Sequence, residues 1–256
     1  MEPRDAFRLM ERSMRRTLEL AADGADDSRV WKFDGVTAAI TPAAPERSVL
    51  NGVVVEDFAR LPDQLDTLAA AYDDAGVRAW TVWVPDYEED ARVMLAARGH
   101  RLDASPAAML VDLAELRSPA AGEATGYSTA WDIEAAGAVS DAAYGDTSGL
   151  FARALGRLQA SAGHLYLASV DSQPASFVLV HDDDSGQNCE FWIAATIPEA
   201  RGRGLLSGLL HRALLDARAR GCTTSTTQAS KMGEPVYERL GYRRFGTIEM
   251  WERRTR

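Results

Sequence analysis

PEARGRGLLSGLLHRALL, residues 198–215, sets Arg201-Gly202-Arg203-Gly204 directly ahead of an apolar run. Leucine or alanine at 205, 206, 209, 210, 213, 214 and 217 marks one face of a helix, and Gly221 ends it. The stretch reads as a glycine-rich turn opening a long helix. Glycines let the backbone approach a bound group closely, and the amides and dipole of a helix start favour an anion. Arg201 and Arg203 add positive charge. Together they predict a phosphate cradle.

Three known phosphate-holding patterns can be weighed against it. A P-loop requires GxxxxGK[ST], and no Lys-Ser or Lys-Thr follows these glycines. A dinucleotide-binding turn is closer, because Gly202, Gly204 and Gly208 give GxGxxxG. That fold needs an acidic residue at the end of the next strand, which here ends Thr227-Gln228-Ala229, and too little chain remains for its other βαβ units. The third pattern is decided by the elements on either side of the turn. A glycine-capped turn with no ligand is the plain alternative.

Working outward, QNCEFWIAATI (187–197) reads as a strand before the turn and CTTSTTQA (222–229) as one after the helix. GEPVYERLG reads as a short helix and YRRFGTIEMWER as the last strand. Upstream lie two helical patterns, WDIEAAGAVSDAAYG and LFARALGRLQASAG, then the strands HLYLASVD and PASFVLVHD. The first half opens with a helix over 5–21 and strands in VWKFDGVTAAIT and SVLNGVVVED. The helix LPDQLDTLAAAYDDAG, the strand VRAWTVWV, the helix YEEDARVMLAARGH and the strand AAMLVDL follow. RSPAAGEATG, residues 117–126, is small, polar and aperiodic, and reads as a linker. Each half thus runs strand, long helix, Gly, strand, short helix, Gly, closing strand. MLAARGHRL in the first falls opposite VYERLGYRR in the second.

From about residue 127 onward the chain resembles the GCN5-related N-acetyltransferase (GNAT) superfamily. EFWIAATIPEARGRG resembles that family's core strand and R/Q-x-x-G-x-G/A pyrophosphate loop. QASKMGEPVYERLGY resembles its later strand and short helix, ending in Y-x-x-x-G-[FY]. The resemblance implies an α+β fold of two tandem GNAT-like domains, each a mixed, mostly antiparallel sheet flanked by helices. Residues 1–116 form a degenerate copy without the cofactor motif, 117–126 a linker, and 127–256 the catalytic domain.

The resemblance implies acetyl-CoA as co-substrate, with Arg201, Gly202, Arg203, Gly204, Leu205 and Leu206 around its pyrophosphate. Leu206 departs from the usual small residue, and its side chain is expected in the core. Backbone groups of Ala195 and Ile197 are implied for the pantetheine arm, and Ser230 stands where an asparagine is common. Tyr237 corresponds to the acid that protonates the departing thiolate. Glu190 corresponds to a base, needed because an alkylamine is protonated at neutral pH. The segment near 140–155, with Asp141, Tyr144, Asp146 and Phe151, corresponds to the acceptor pocket, and Trp192 can face it.

The first half lacks this machinery. With Gly76 placed on Gly221, EDFARL (56–61) falls on RGRGLL, so carboxylates of Glu56 and Asp57 stand where a pyrophosphate needs amides and cations. With Gly99 on Gly241, Leu95 falls on Tyr237. A wall for the acceptor cleft is the role expected of this half.

The chain has 256 residues and a net charge of −10, against a nucleic-acid partner. No secretory signal or membrane-length apolar run is present, and the two cysteines fit a reducing cytoplasm. The four histidines are scattered, so no metal is expected. The expected acceptor is a small-molecule primary amine and the expected assembly a monomer or homodimer. Protein lysines as acceptors, or a non-catalytic acyl-CoA sensor, are the other readings.

Overall fold

The computed structural model describes residues 1–33, 35–119 and 127–255. Helix α1 (Pro3–Ala22) leads into the hairpin β1 (Arg29–Phe33) and β2 (Val36–Ile40), then β3 (Gly52–Val55), α2 (Leu61–Asp74), β4 (Ala79–Pro85), α3 (Glu89–Ala97), β5 (Arg101–Ala104) and β6 (Ala107–Asp112). The second half contains β7 (Tyr127–Ser128), α4 (Ile133–Tyr144), α5 (Leu150–Leu155), β8 (His164–Val170), β9 (Gln173–Asp182), β10 (Asn188–Thr196), α6 (Leu205–Arg220), β11 (Thr224–Ala229), α7 (Glu234–Leu240) and β12 (Arg243–Arg254). The predicted helix over 150–163 is cut to Leu150–Leu155, because Gly156 caps it and only a separate 3-10 turn, Ala160–Ala162, follows. Of the expected linker, residues 120–126 lie outside the described residues.

The sheet is mixed, mostly antiparallel and flanked by helices on both faces, as expected. It is also continuous, with strand order β1-β2-β3-β4-β12-β6-β11-β10-β9-β8-β7. The order records a reciprocal exchange. β6, from the first half, lies between β11 and the opening residues of β12 (243–247). β12 then runs on between β4 and β5 of the first half, pairing Ile248 with Pro85 and Trp251 with Leu102. The crossing occurs at Gly246, where a Cβ would stand 2.7 Å from the ring of Phe7 on α1.

The cores follow from this arrangement. α1 carries Phe7, Met10, Met14 and Leu18 on one face and buries them against Ala39, Val54, Trp83, Ile248 and Met250. Beneath the opposite face, α2 and α3 pack on β2, β3 and β4. In the second half α6 and α7 cover one face, while α4 and α5 cover the other. No described helix is long and apolar enough to cross a membrane.

Candidate active site

β10 and β11 pair in parallel at Asn188↔Thr224, Cys189↔Ser225 and Glu190↔Thr226. Past Glu190 they part, because β10 stays with β9 while β11 stays with β6 as far as Ala229↔Ala107. The break coincides with a bulge between Phe191 and Ile193. Before it, Cys189 and Phe191 face α6; after it, Ala194 packs toward α6 while Ile193 and Ala195 face α4 and α5. A cavity of about 1100 Å³ occupies the gap and reaches both faces of the sheet.

The bulge corrects one expectation. Ile197 donates its N–H to Ala175 O of the sheet at 2.9 Å, and its carbonyl accepts from Ala200. Ile197 does not line the cavity. Backbone groups alternate sides along an antiparallel strand, so those of Ala195 also turn to β9, where Ala195 O accepts from Ser176 Oγ. The backbone groups of Ala194 and Thr196 face the gap instead. A bulge adds one residue to the count, and nothing in the sequence marks it.

The glycine turn lies on the cavity wall from Ala200 to Ser207. Gly202 and Gly204 adopt φ of 77° and 78°, and a Cβ at Gly202 would meet nothing within 4 Å. Gly204 caps α6, whose first bond runs from Gly208 N to Gly204 O, so the preceding amides are not used by the helix. Leu205 is buried, and Leu206 is half-buried against the core while also reaching the cavity. Arg201 braces the turn: Nε donates to Thr196 O at 3.2 Å and Nη2 to Ala143 O at 2.9 Å. Arg203 lies on the wall, as does Arg239 of α7, which the sequence reading did not single out. Ser230 Oγ accepts from Gly233 N at 3.1 Å and so shapes the turn into α7.

Across the gap, α7 begins with Pro235 in its first turn and ends at Gly241, φ 103°. That brief helix holds Tyr237 buried against Phe191 and Tyr242, with ring centroids 6.0 and 5.3 Å away. Burial raises the Tyr237 pKa against a lowering hydrogen bond with Thr227, and Tyr144 adds to the rise. The phenol therefore keeps its proton at neutral pH. Tyr237, Tyr144, Phe151 and Trp192 all line the cavity.

Glu190 stands at the vertex of the gap without lining the cavity. It is 1% exposed, and burial pushes its pKa up to about 8. Gln228 Nε2 donates to its Oε1, while Oε2 has no hydrogen-bond partner. Gln228 does line the cavity, so it separates the carboxyl group from the open space. Among the described residues no cluster of His, Cys, Asp and Glu is placed to hold a metal.

The first half supplies much of the far wall: Met14, Thr17 and Leu18 of α1, Val54, Trp83, and the loop carrying Arg47, Val49 and Leu50. Buried Asn51 fixes that loop, accepting from Thr41 N and donating to Ala44 O and Arg47 O. The two carboxylates that the sequence sets against the glycine turn, Glu56 and Asp57, are exposed. Glu56 pairs with Arg15, and Asp57 accepts from Ala59 N at 3.1 Å. Leu95 is wholly buried core.

Residues 127–242 match the model of the acetyltransferase (GNAT) family. A comparison with curated protein sequences finds no match. Among solved structures, a GCN5-related N-acetyltransferase from Kribbella flavida superimposes with a TM-score of 0.65 at 17% identity, over 88% of this chain and 89% of that one. A tandem GNAT protein from the clavulanic acid biosynthesis pathway gives 0.62 at 15% identity, over 94% of each chain. A GCN5-related N-acetyltransferase from Sphaerobacter thermophilus gives 0.59 at 16%, over 86% and 80%. The chain therefore has the GCN5-related N-acetyltransferase fold, and its residues 127–242 match the GNAT family, a match that supports an acyltransferase drawing on an acyl-CoA.

Proposed function

We propose that the protein transfers an acetyl group from acetyl-CoA directly to a primary amine of a small molecule. The observation that carries this reading is the gap between β10 and β11, with the glycine turn on one side and the buried Tyr237 hydroxyl on the other. The residues present fit the co-substrate: left-handed glycines with open space at Gly202, the start of α6, and Arg203 and Arg239 on the wall. Ala194 and Thr196 offer backbone groups to its arm, with Ser230 beside them.

Acetyl-CoA supplies the acetyl group as a thioester, so transfer forms a C–N bond and breaks the C–S bond. Tyr237 holds a proton at Oη for the departing sulfur. Glu190 receives the amine proton, relayed by water past Gln228. The first half, a degenerate copy of the same fold, walls the acceptor side.

The test is a panel of primary amines incubated with acetyl-CoA, read as thiol release and as acetylated product. Product with at least one amine, lost in Tyr237→Phe, supports the reading. Tight acetyl-CoA binding without acetylation of any amine contradicts it and favours a sensor.

A further inference from the structure

Charge is segregated around the cavity. Arg201 and Arg203 belong to the glycine turn and Arg239 to α7, while Arg47, Asp141 and Asp146 lie near the end of α4. The residues contributed by α1, β3, β4 and β12 are Met14, Thr17, Leu18, Val54, Trp83 and Met250, none of them charged. The hydroxyl and amide groups beside this wall already have partners. Thr17 Oγ1 bonds Ser13 O and His181 Nε2, and Gln228 holds Glu190. The two carboxylates are engaged as well: Asp141 accepts from Phe151 N, and Asp146 from Ser148 and Arg47. An acceptor carrying a second charge meets no opposite charge among Met14, Thr17, Leu18, Val54, Trp83 and Met250. A volume near 1100 Å³ also exceeds the roughly 300–1,000 Å³ of a single small-molecule site, which leaves room for a second substrate.

We infer that the wall formed by Met14, Leu18, Val54, Trp83 and Met250 is the seat of an apolar acceptor body: the acceptor is a monoamine with an aliphatic or aryl-alkyl chain, not a polyamine or an amino acid. This rests on the acetyl-transfer reading for the site. The chain lies against α1 and the first-half strands, and the amino group points back to the gap beside Gln228 and Tyr237. An apolar seat also disfavours the ammonium form. Desolvation thereby does part of the deprotonation that a carboxyl group behind Gln228 reaches only indirectly.

The experiment holds acetyl-CoA fixed and compares ethylamine, butylamine, hexylamine, octylamine and phenethylamine with putrescine and glycine. Catalytic efficiency is expected to climb about fourfold per added methylene until the seat is full. Val54→Phe moves the optimum to a shorter chain and Val54→Ala to a longer one, a pair of opposite shifts that misfolding does not produce. Binding is read separately, by calorimetry of the unreactive N,N-dimethyloctylamine on the CoA-loaded protein, with at least tenfold weakening expected for Met250→Glu. No binding of that probe, a flat chain-length series, or preference for putrescine or glycine overturns the inference even if acetylation is real. A preference for octanoyl-CoA with ethylamine over acetyl-CoA with octylamine also overturns it, giving the wall to the donor. Probe binding without turnover of any amine overturns the transfer reading and leaves the apolar seat standing.

Discussion

Gln228 on β11 donates from Nε2 to Oε1 of Glu190 on β10, across the place where the two strands cease to pair. The other carboxyl oxygen is buried without a partner. Burial pushes the Glu190 pKa up to about 8, against the lowering effect of the Gln228 bond and with Asp183 adding to the rise. The same fact bears on kinetics and on stability.

For kinetics, Glu190 becomes able to accept a proton only as pH passes about 8. The ratio of wild-type to Glu190→Gln catalytic efficiency should rise through that value and level off above it. Taking the ratio removes the amine's own titration. A ratio that is constant between pH 6 and 9.5 excludes Glu190 as the base.

For stability, the folded pKa is raised above the unfolded value of 4.5. Below 4.5 the group is protonated in both states and costs nothing. Between 4.5 and about 8 the unfolded chain ionises and the folded one does not, so stability falls as pH rises. Glu190→Gln keeps an acceptor for Gln228 and removes the titration. Its melting temperature should match wild type near pH 4.5 and exceed it at pH 8.5; equal differences at both pH values contradict the assignment.

Tyr237 contributes its ring to the core and its hydroxyl to Thr227. Tyr237→Phe retains the packing and should lower kcat about a hundredfold, in the range expected for loss of a general acid. Acetyl-CoA affinity should stay within about threefold of wild type. Rapid-quench measurement of the transfer step is the check, and unchanged turnover removes the acid role.

The strand exchange makes the halves interdependent. Residues 127–256 alone lack β6, leaving β11 and the start of β12 with unpaired edges. They also lose α1, whose Ser13 accepts from buried Asn188. This fragment should be insoluble by itself and soluble when co-expressed with residues 1–119, as read by gel filtration. A folded, monomeric fragment contradicts the account.

Much of this was legible in the sequence because it rests on local signals. The span of α6 follows from its leucine period and from Gly204 and Gly221, and the Tyr237 helix from Pro235 and Gly241. What escaped was non-local. No pattern announces that β6 pairs outside its own half, since AAMLVDL is equally apolar in either slot. The bulge at Trp192 shifts the gap-facing backbone from Ala195 and Ile197 to Ala194 and Thr196. Arg201 carries the charge of a phosphate ligand, yet its hydrogen bonds go to Thr196 and Ala143.

The central claim is that the glycine turn holds the pyrophosphate of acetyl-CoA. Calorimetric titration of acetyl-CoA into wild type and Gly204→Glu tests it most directly. At φ 78° the substitution strains the cap of α6 and sets a carboxylate where an anion is to bind. One site per chain in wild type, weakened at least a hundredfold in a variant that remains folded, is the predicted result. Equal affinity in the two proteins, or no binding to wild type, contradicts the account.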